Sequence, residues 1–152
     1  MNEPRFSLAL LHGCGCSAKE VEGALPAGHG LSPARRRHLR ESELLIASNA
    51  AVPIGMAAYK RAESEVRVIH EVLLASVLAP STAVRVTDEL LSGLELVALG
   101  EGVRCLTFLL HNRVIIEPFE RRGYMSLLLD DGGVWLQRKL GWPGWREASA
   151  PQ

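Results

Sequence analysis

The sequence has no excess charge of either sign, no long apolar run and few cysteines. Seventeen Lys and Arg residues balance seventeen Asp and Glu residues, so the formal net charge is zero. That balance argues against a globally basic nucleic-acid binder and leaves only local patches to consider. No apolar run reaches the roughly 18–20 residues that a membrane-spanning helix needs, and no membrane partner is expected. The apolar stretch 6–11 is too short for a secretory core and runs into His12, so no signal peptide is expected. Three cysteines cannot all pair. Cys14 and Cys16 are too close for an easy local disulfide, and Cys105 sits in an apolar run. A reduced, cytoplasmic protein is therefore expected. No internal repeat is visible.

What the sequence does contain is ordinary for a globular chain. Of 152 residues, 47% are hydrophobic and 22% charged, which excludes wholesale disorder. The length suits one domain, and a chain of this size buries about 70% of its unfolded surface. The domain is placed at residues 1–141, with 142–152 as a C-terminal tail carrying Trp142 and Trp145.

Residues 6–12 read as a first strand. Ser17, with Glu20 three residues on, has the capping signature of a short helix over 17–25. Pro26-Ala27-Gly28-His29-Gly30 breaks it. Ser32-Pro33 opens a second helix over 34–41, because proline suits a first helical turn. Residues 44–47 read as strand and Ser48-Asn49-Ala50 as turn. Val52–Tyr59 is extended, and Pro53 and Gly55 inside it suggest an edge or a bulge. After a turn at 61–64, Val66, Val68, His70 and Val72 alternate with Arg67, Ile69 and Glu71, the period of a strand. Three strands on short turns make an antiparallel meander. Thr87-Asp88-Glu89 is expected to open the strongest helix, with Leu90, Leu91, Leu94, Val97 and Ala98 at helical spacing and Gly100 and Gly102 ending it. An apolar strand over 103–110 follows. A helix capped by Asn112 covers 113–122, with Pro118 awkward in its interior and Gly123 as its stop. Strands over 124–129 and 134–139 join at Asp130-Asp131-Gly132-Gly133. The order describes an α/β fold on a mixed sheet: a meander, a βαβ crossover and a C-terminal hairpin.

The segment Asn112-Arg113-Val114-Ile115-Ile116-Glu117-Pro118-Phe119-Glu120-Arg121-Arg122-Gly123-Tyr124 resembles the pattern N-x-x-A-x-x-x-Y-E-x-x-G-F of the GNAT superfamily of N-acetyltransferases. Asn112, Glu120 and Gly123 match in register, and Tyr124 is the aromatic after glycine. Ile115 replaces Ala, and Phe119 replaces Tyr. The element order resembles the family over nearly the whole chain. The resemblance implies a GNAT-like acyl-CoA N-acyltransferase fold. It implies transfer of an acetyl or other acyl group from acyl-CoA to a primary amine on a small molecule or peptide, by direct attack in a ternary complex and without a metal.

In that family the helix after the fourth strand begins R/Q-x-x-G-x-G/A, and its N–H groups bind the pyrophosphate of CoA. Unpaired donors and the positive dipole end receive the anion, and glycine lets it approach the backbone. The window here, Thr82-Ala83-Val84-Arg85-Val86-Thr87, has neither glycine. The resemblance assigns the pyrophosphate to the amides of Ala83, Val84, Arg85, Val86 and Thr87, with the Arg85 and Thr87 side chains as substitutes for bare backbone. It assigns Asn112 to the pantetheine arm, for which helix capping is the other reading. The oxyanion would meet a backbone N–H near Leu73. The strands that splay to admit pantetheine would be 72–76 and 103–110.

Amine acylation needs a base, an oxyanion site and an acid for the leaving thiolate. Glu71 lies where some enzymes of that family place a base, and Ile69, Val72 and Leu73 would partly desolvate it. Its other reading is a carboxylate facing solvent or paired with Arg67. Phe119 has no proton to give. His111 can titrate near neutrality, or simply make a strand-end hydrogen bond. The altered loop and Phe119 also suit a GNAT-like binding or regulatory module without turnover. Cys14-Gly15-Cys16 lacks the second ligand pair of a structural zinc site, so a glycine-rich turn is expected and no metal. The basic run Arg35-Arg36-Arg37-His38-Leu39-Arg40 reads as a solvated helix face, or as an attractor of the CoA 3′-phosphate, an acidic substrate or RNA. A homodimer is left open.

Overall fold

The computed structural model describes residues 6–30, 32–60, 66–110 and 116–140, with His70 described by its backbone alone. In chain order the elements are β1 (Ser7–His12), α1 (Ala18–Ala24), α2 (Pro33–Arg40), β2 (Glu43–Asn49), β3 (Val52–Tyr59), β4 (Val66–Leu74), α3 (Pro80–Gly100), β5 (Cys105–Leu110), α4 (Ile116–Arg121), β6 (Met125–Leu128) and β7 (Val134–Lys139). A short 3₁₀ turn at Gly13–Gly15 joins β1 to α1.

The seven strands form one sheet in the order β1-β2-β3-β4-β5-β7-β6. Every neighbouring pair is antiparallel except β4 and β5. The parallel pair is joined through α3, as a parallel connection requires. The architecture is the expected one: meander, βαβ crossover, C-terminal hairpin. Each face of the sheet carries a core. Under α3 and α4 lie Leu45, Ala57, Ile69, Val86, Leu90, Leu94, Leu106, Phe108 and Phe119. Under α1 and α2 lie Val21, Leu39, Leu44, Ile46, Met56 and Leu73.

The caps expected at Ser17 and Ser32 are present. Ser17 accepts from the Glu20 N–H at 3.2 Å while the Glu20 carboxylate accepts from the Ser17 N–H at 3.2 Å. Ser32 accepts from the Arg35 N–H at 3.1 Å, ahead of Pro33.

One expectation needs correction here, and one pair of alternatives is resolved. The long helix starts at Pro80, seven residues before Thr87. Thr82, Val84, Val86 and Thr87 look poor for a helix by propensity, since branching at Cβ restricts their rotamers. Here Pro80 presets the first turn, and Ala83, Val86, Thr87 and Leu90 are buried. Packing supplies what propensity does not. The second point settles the alternatives left for β3. It is central, between β2 and β4, and its irregularity is a bulge. Ala47 pairs with Gly55 and Ser48 with Pro53, leaving Ile54 as the extra residue.

Candidate active site

The site is built around an irregularity in β4. From Val66 to Ile69 this strand pairs in parallel with Cys105 to Phe108 of β5, and that ladder ends at the pair Ile69–Phe108. On its other side, Tyr59 of β3 pairs with Ile69 and Ala58 with Glu71. His70 is therefore an inserted residue, a bulge. Beyond it β4 continues to Leu74 along β3, while β5 ends at Leu110. The next element, α3, begins at Pro80.

The inserted residue also reverses the alternation of β4. Before it, Arg67 and Ile69 are buried beneath α3, while Val66 and Val68 are exposed. After it, Val72 and Leu74 pack on the α3 core and Leu73 joins the core beneath α1 and α2. The single unbroken alternation expected from Val66 to Val72 is thus corrected. Glu71 shares the Leu73 side, and its Oε1 accepts from Arg35 Nε of α2 at 3.0 Å. Arg35 also donates to the Gly30 carbonyl at 2.9 Å, which ties it to the loop between α1 and α2. The alternative pairing of Glu71 with Arg67 is excluded. Arg67 Nη2 donates instead to Glu101 Oε2 at 2.7 Å on the opposite face.

Backbone polarity beyond the bulge follows from one hydrogen bond. The Ala75 N–H donates to the Ile54 carbonyl at 2.9 Å, which makes these two opposed residues a hydrogen-bonded pair. In an antiparallel ladder such pairs alternate with open ones. Leu73, opposite Met56, is then bonded to β3, and Val72 and Leu74 direct their N–H and C=O groups away from β3. His29 Nε2 lies 2.6 Å from the Leu74 carbonyl, a contact possible only if that oxygen faces away from β3. The N–H expected near the oxyanion at Leu73 is turned into the sheet, and its neighbours Val72 and Leu74 hold the outward groups. The α1–α2 loop roofs the end of the strand, because the Ser76 N–H also donates to the Ala27 carbonyl at 2.9 Å.

The first turn of α3 differs from expectation in the same way. The Ala83 N–H donates to the Ala79 carbonyl at 2.9 Å, so Ala83 and the residues after it spend their amides inside the helix. Pro80 has no N–H, and Ala79 provides no side-chain cap. The donors left open are those of Ser81 and Thr82. Val86 and Thr87 are buried against the sheet, with the Thr87 hydroxyl donating to the Ala83 carbonyl at 2.8 Å. A Cβ placed on Gly55 of β3 would lie 2.6 Å from Val86 Cγ1, so the missing side chain on the strand makes room for the large one on the helix. Val84 and Arg85 are half-buried, and the Arg85 guanidinium lies 5.6 Å from the centre of the Phe6 ring.

Asn112 and His111 lie outside the described residues. Phe119 is fully buried, edge-on to Phe108 and Tyr124 at 4.8 and 5.3 Å between ring centres. The Tyr124 hydroxyl donates to Glu95 Oε2 at 2.8 Å. Burial first, and then the Glu95 charge and hydrogen bond, push this phenol far above the usual tyrosine range. It keeps its proton at neutral pH. Sequence reasoning missed the cluster around Glu95, which also accepts from Arg122 at 2.9 Å and Arg138 at 3.0 Å. A signal existed: Glu95 falls on the same stripe of α3 as Leu91, Leu94 and Ala98, where a carboxylate needs partners.

Cys14 is exposed and Cys16 buried in the 3₁₀ turn, and Cys16 Sγ bonds the His12 carbonyl. Among the described residues, no three His, Cys, Asp or Glu side chains stand where they could hold a metal ion. No helix among them is long and apolar enough to cross a membrane. Asp131 Oδ1 accepts from the Gly133 N–H at 2.8 Å, and Gly132 has φ of 86°, so the last loop is the expected hairpin turn.

No protein-family model and no curated protein matches this sequence. Solved structures match it throughout. An IAA acetyltransferase from Bacillus cereus aligns with TM-score 0.65 and 11% identity, over 90% of this chain and 100% of that one. A GNAT family acetyltransferase from Elizabethkingia anophelis with acetyl-CoA bound aligns at TM-score 0.64 and 14% identity, over 89% of this chain and 98% of that one. The N-acetylglutamate synthase of Neisseria gonorrhoeae, complexed with coenzyme A and N-acetyl-glutamate, aligns at 0.60 and 19%, over 93% of this chain and 36% of that one. The chain has the GNAT acetyltransferase fold.

Proposed function

We propose that the protein transfers an acyl group, acetyl in the first instance, from acyl-CoA to a primary amine. The observation that carries this reading is the bulge at His70, beyond which β4 runs on to Leu74 with the backbone groups of Val72 and Leu74 turned away from β3, ahead of the start of α3. In this reading β4 and β5 part beyond the bulge, and the slot, edged by the backbone groups of Val72 and the N–H of Leu74, suits an amide-bearing arm such as pantetheine. On the same reading the open amides of Ser81 and Thr82 serve the phosphates, and Arg85 adds positive charge one turn on. Several of the structural neighbours carry acetyl-CoA or coenzyme A, which supports acyl-CoA as co-substrate. Asn112 remains assigned to the pantetheine arm on the strength of the family pattern.

In this reading the amine nitrogen attacks the thioester carbonyl in a ternary complex. The C–N bond forms, the C–S bond breaks, and the thiolate takes up a proton from solvent. Glu71, directly or through water, receives the proton that the ammonium gives up. Arg35 holds the Glu71 carboxylate in place. Exchange of Glu71 for Gln should lower kcat about 10²-fold or more, the usual scale for a lost general base. Acetyl-CoA affinity by calorimetry should stay within about twofold.

A second reading is favoured by one observation. Phe119 has no hydroxyl, and the nearby Tyr124 hydroxyl is committed to Glu95. A binding or regulatory module would take up acetyl-CoA without turnover. Heat of binding with no acylated product across a broad amine panel, and no effect of Glu71→Gln, would select it. No heat at millimolar acetyl-CoA would remove both.

A further inference from the structure

We propose that the outer face of α2 forms a second, independent binding site for a small molecule bearing two or more phosphate groups. A surface cleft of about 530 Å³ lies between α2 and the 3₁₀ turn, lined by Cys14, Pro33, Arg36, Arg37, Arg40 and Glu41. At about 100° per residue, Pro33, Arg36, Arg37 and Arg40 share one stripe of the helix about 100° wide. Arg35, which holds Glu71, points to the other side. The cleft therefore lies apart from the groups assigned to acyl transfer and does not depend on that assignment.

Three features point to an anion. None of the guanidinium groups of Arg36, Arg37 and Arg40 has a hydrogen-bonded or ion-pair partner among the described residues. The one acid on the rim, Glu41, is met by Lys60 at 3.7 Å, so it leaves the three positive charges uncompensated. The space suits a small molecule, whose sites run from about 300 to 1,000 Å³. Guanidinium is the group best shaped for two-point bonding to phosphate oxygens. No aromatic side chain lines the cleft to stack a base, which favours a compact phosphorylated compound over single-stranded RNA. Helix-dipole compensation accounts for basic residues in the last turn of α2. It does not account for Arg36, nor for a cleft in front of all three.

Cys14 supplies the readout. It is exposed in this cleft, whereas Cys16 and Cys105 are buried. The full chain is treated with iodoacetamide, and alkylation of Cys14 is followed by mass spectrometry. The additions are inorganic tripolyphosphate, citrate or an oligo-uridine strand, each with and without saturating CoA. Tripolyphosphate should slow Cys14 alkylation in the wild-type chain, with CoA present or absent. The Arg36→Gln/Arg40→Gln variant should need about tenfold more tripolyphosphate for the same protection. Citrate should protect less well than tripolyphosphate at equal concentration. The proposal is overturned by any of four results: no protection at millimolar tripolyphosphate, protection unchanged in the double variant, protection abolished by CoA, or stronger protection by the RNA strand or citrate. A purely helix-stabilising role for the arginines would lower the melting temperature of the variant and leave alkylation indifferent to tripolyphosphate.

Discussion

At the scale of single residues, the molecule depends on a few places where one side chain answers another across an interface. Gly55 is one. Alanine there would bring its Cβ to 2.6 Å from Val86 and 3.2 Å from Leu90, beneath the first turns of α3. Gly55→Ala should destabilise the fold by about 1–3 kcal/mol, read from urea unfolding. Glu95 is another. It meets Arg122, Arg138 and the Tyr124 hydroxyl, and Arg122 also binds Asp88 at 3.1 Å and the Ser92 hydroxyl. Removing the carboxylate strands the groups it satisfied, so Glu95→Ala should cost about 3 kcal/mol, seen in the same experiment. The phenol of Tyr124 gives a pH signature. Its affinity for its proton is higher folded than unfolded, so its contribution is complete below the ordinary tyrosine value of 10.0 and is lost as the pH rises above it. Stability should fall from about pH 10 upward. Tyr124→Phe should fall less steeply, a difference that guanidinium titrations at several alkaline pH values can measure.

At the scale of elements, the backbone phase of β4 beyond the bulge predicts a contrast between adjacent amides. The Leu73 N–H is locked to β3, while those of Val72 and Leu74 are turned away from it. Native-state hydrogen exchange should find Leu73 well protected and its two neighbours much less so, and acetyl-CoA should slow exchange at the neighbours. Equal protection at all three would contradict the register. The strand-level plan was legible in the sequence because apolar runs, short turns and the Ser17 and Ser32 caps all express local rules. The start of α3 was not legible. Its first two turns carry residues with weak helix preference, and their conformation is set by contact with β3 and β4, far away in the chain. The bulge in β4 was equally hidden. A run alternating from Val66 to Val72 looks uniform, and only pairing with both neighbours exposes the extra residue. Glu71 was found as a candidate, but its partner Arg35 sits 36 residues away and no local pattern connects them.

At the scale of the whole molecule, one sheet separates two kinds of surface. The α3 face holds the larger core, and its ionic cluster at Glu95 fastens α3 and α4 to the last hairpin. The α1–α2 face holds a smaller core and carries the arginine-rich stripe. Positive charge is thus local on a chain whose isoelectric point is about 7.0. Neutral molecules of this kind repel each other weakly, so solubility should be lowest near pH 7 and rise on either side. Precipitation assays across that range test this directly.

The extra residue in β4 also carries an evolutionary lesson about length. Deleting position 70 would restore a regular zigzag in which Glu71 follows Ile69 onto the α1–α2 side and Val72 and Leu74 keep their places under α3. Adding or removing a residue beyond position 70, by contrast, would turn every side chain after it to the opposite face. Relatives of this chain should therefore drift in composition along this strand far more readily than they gain or lose a residue beyond that point.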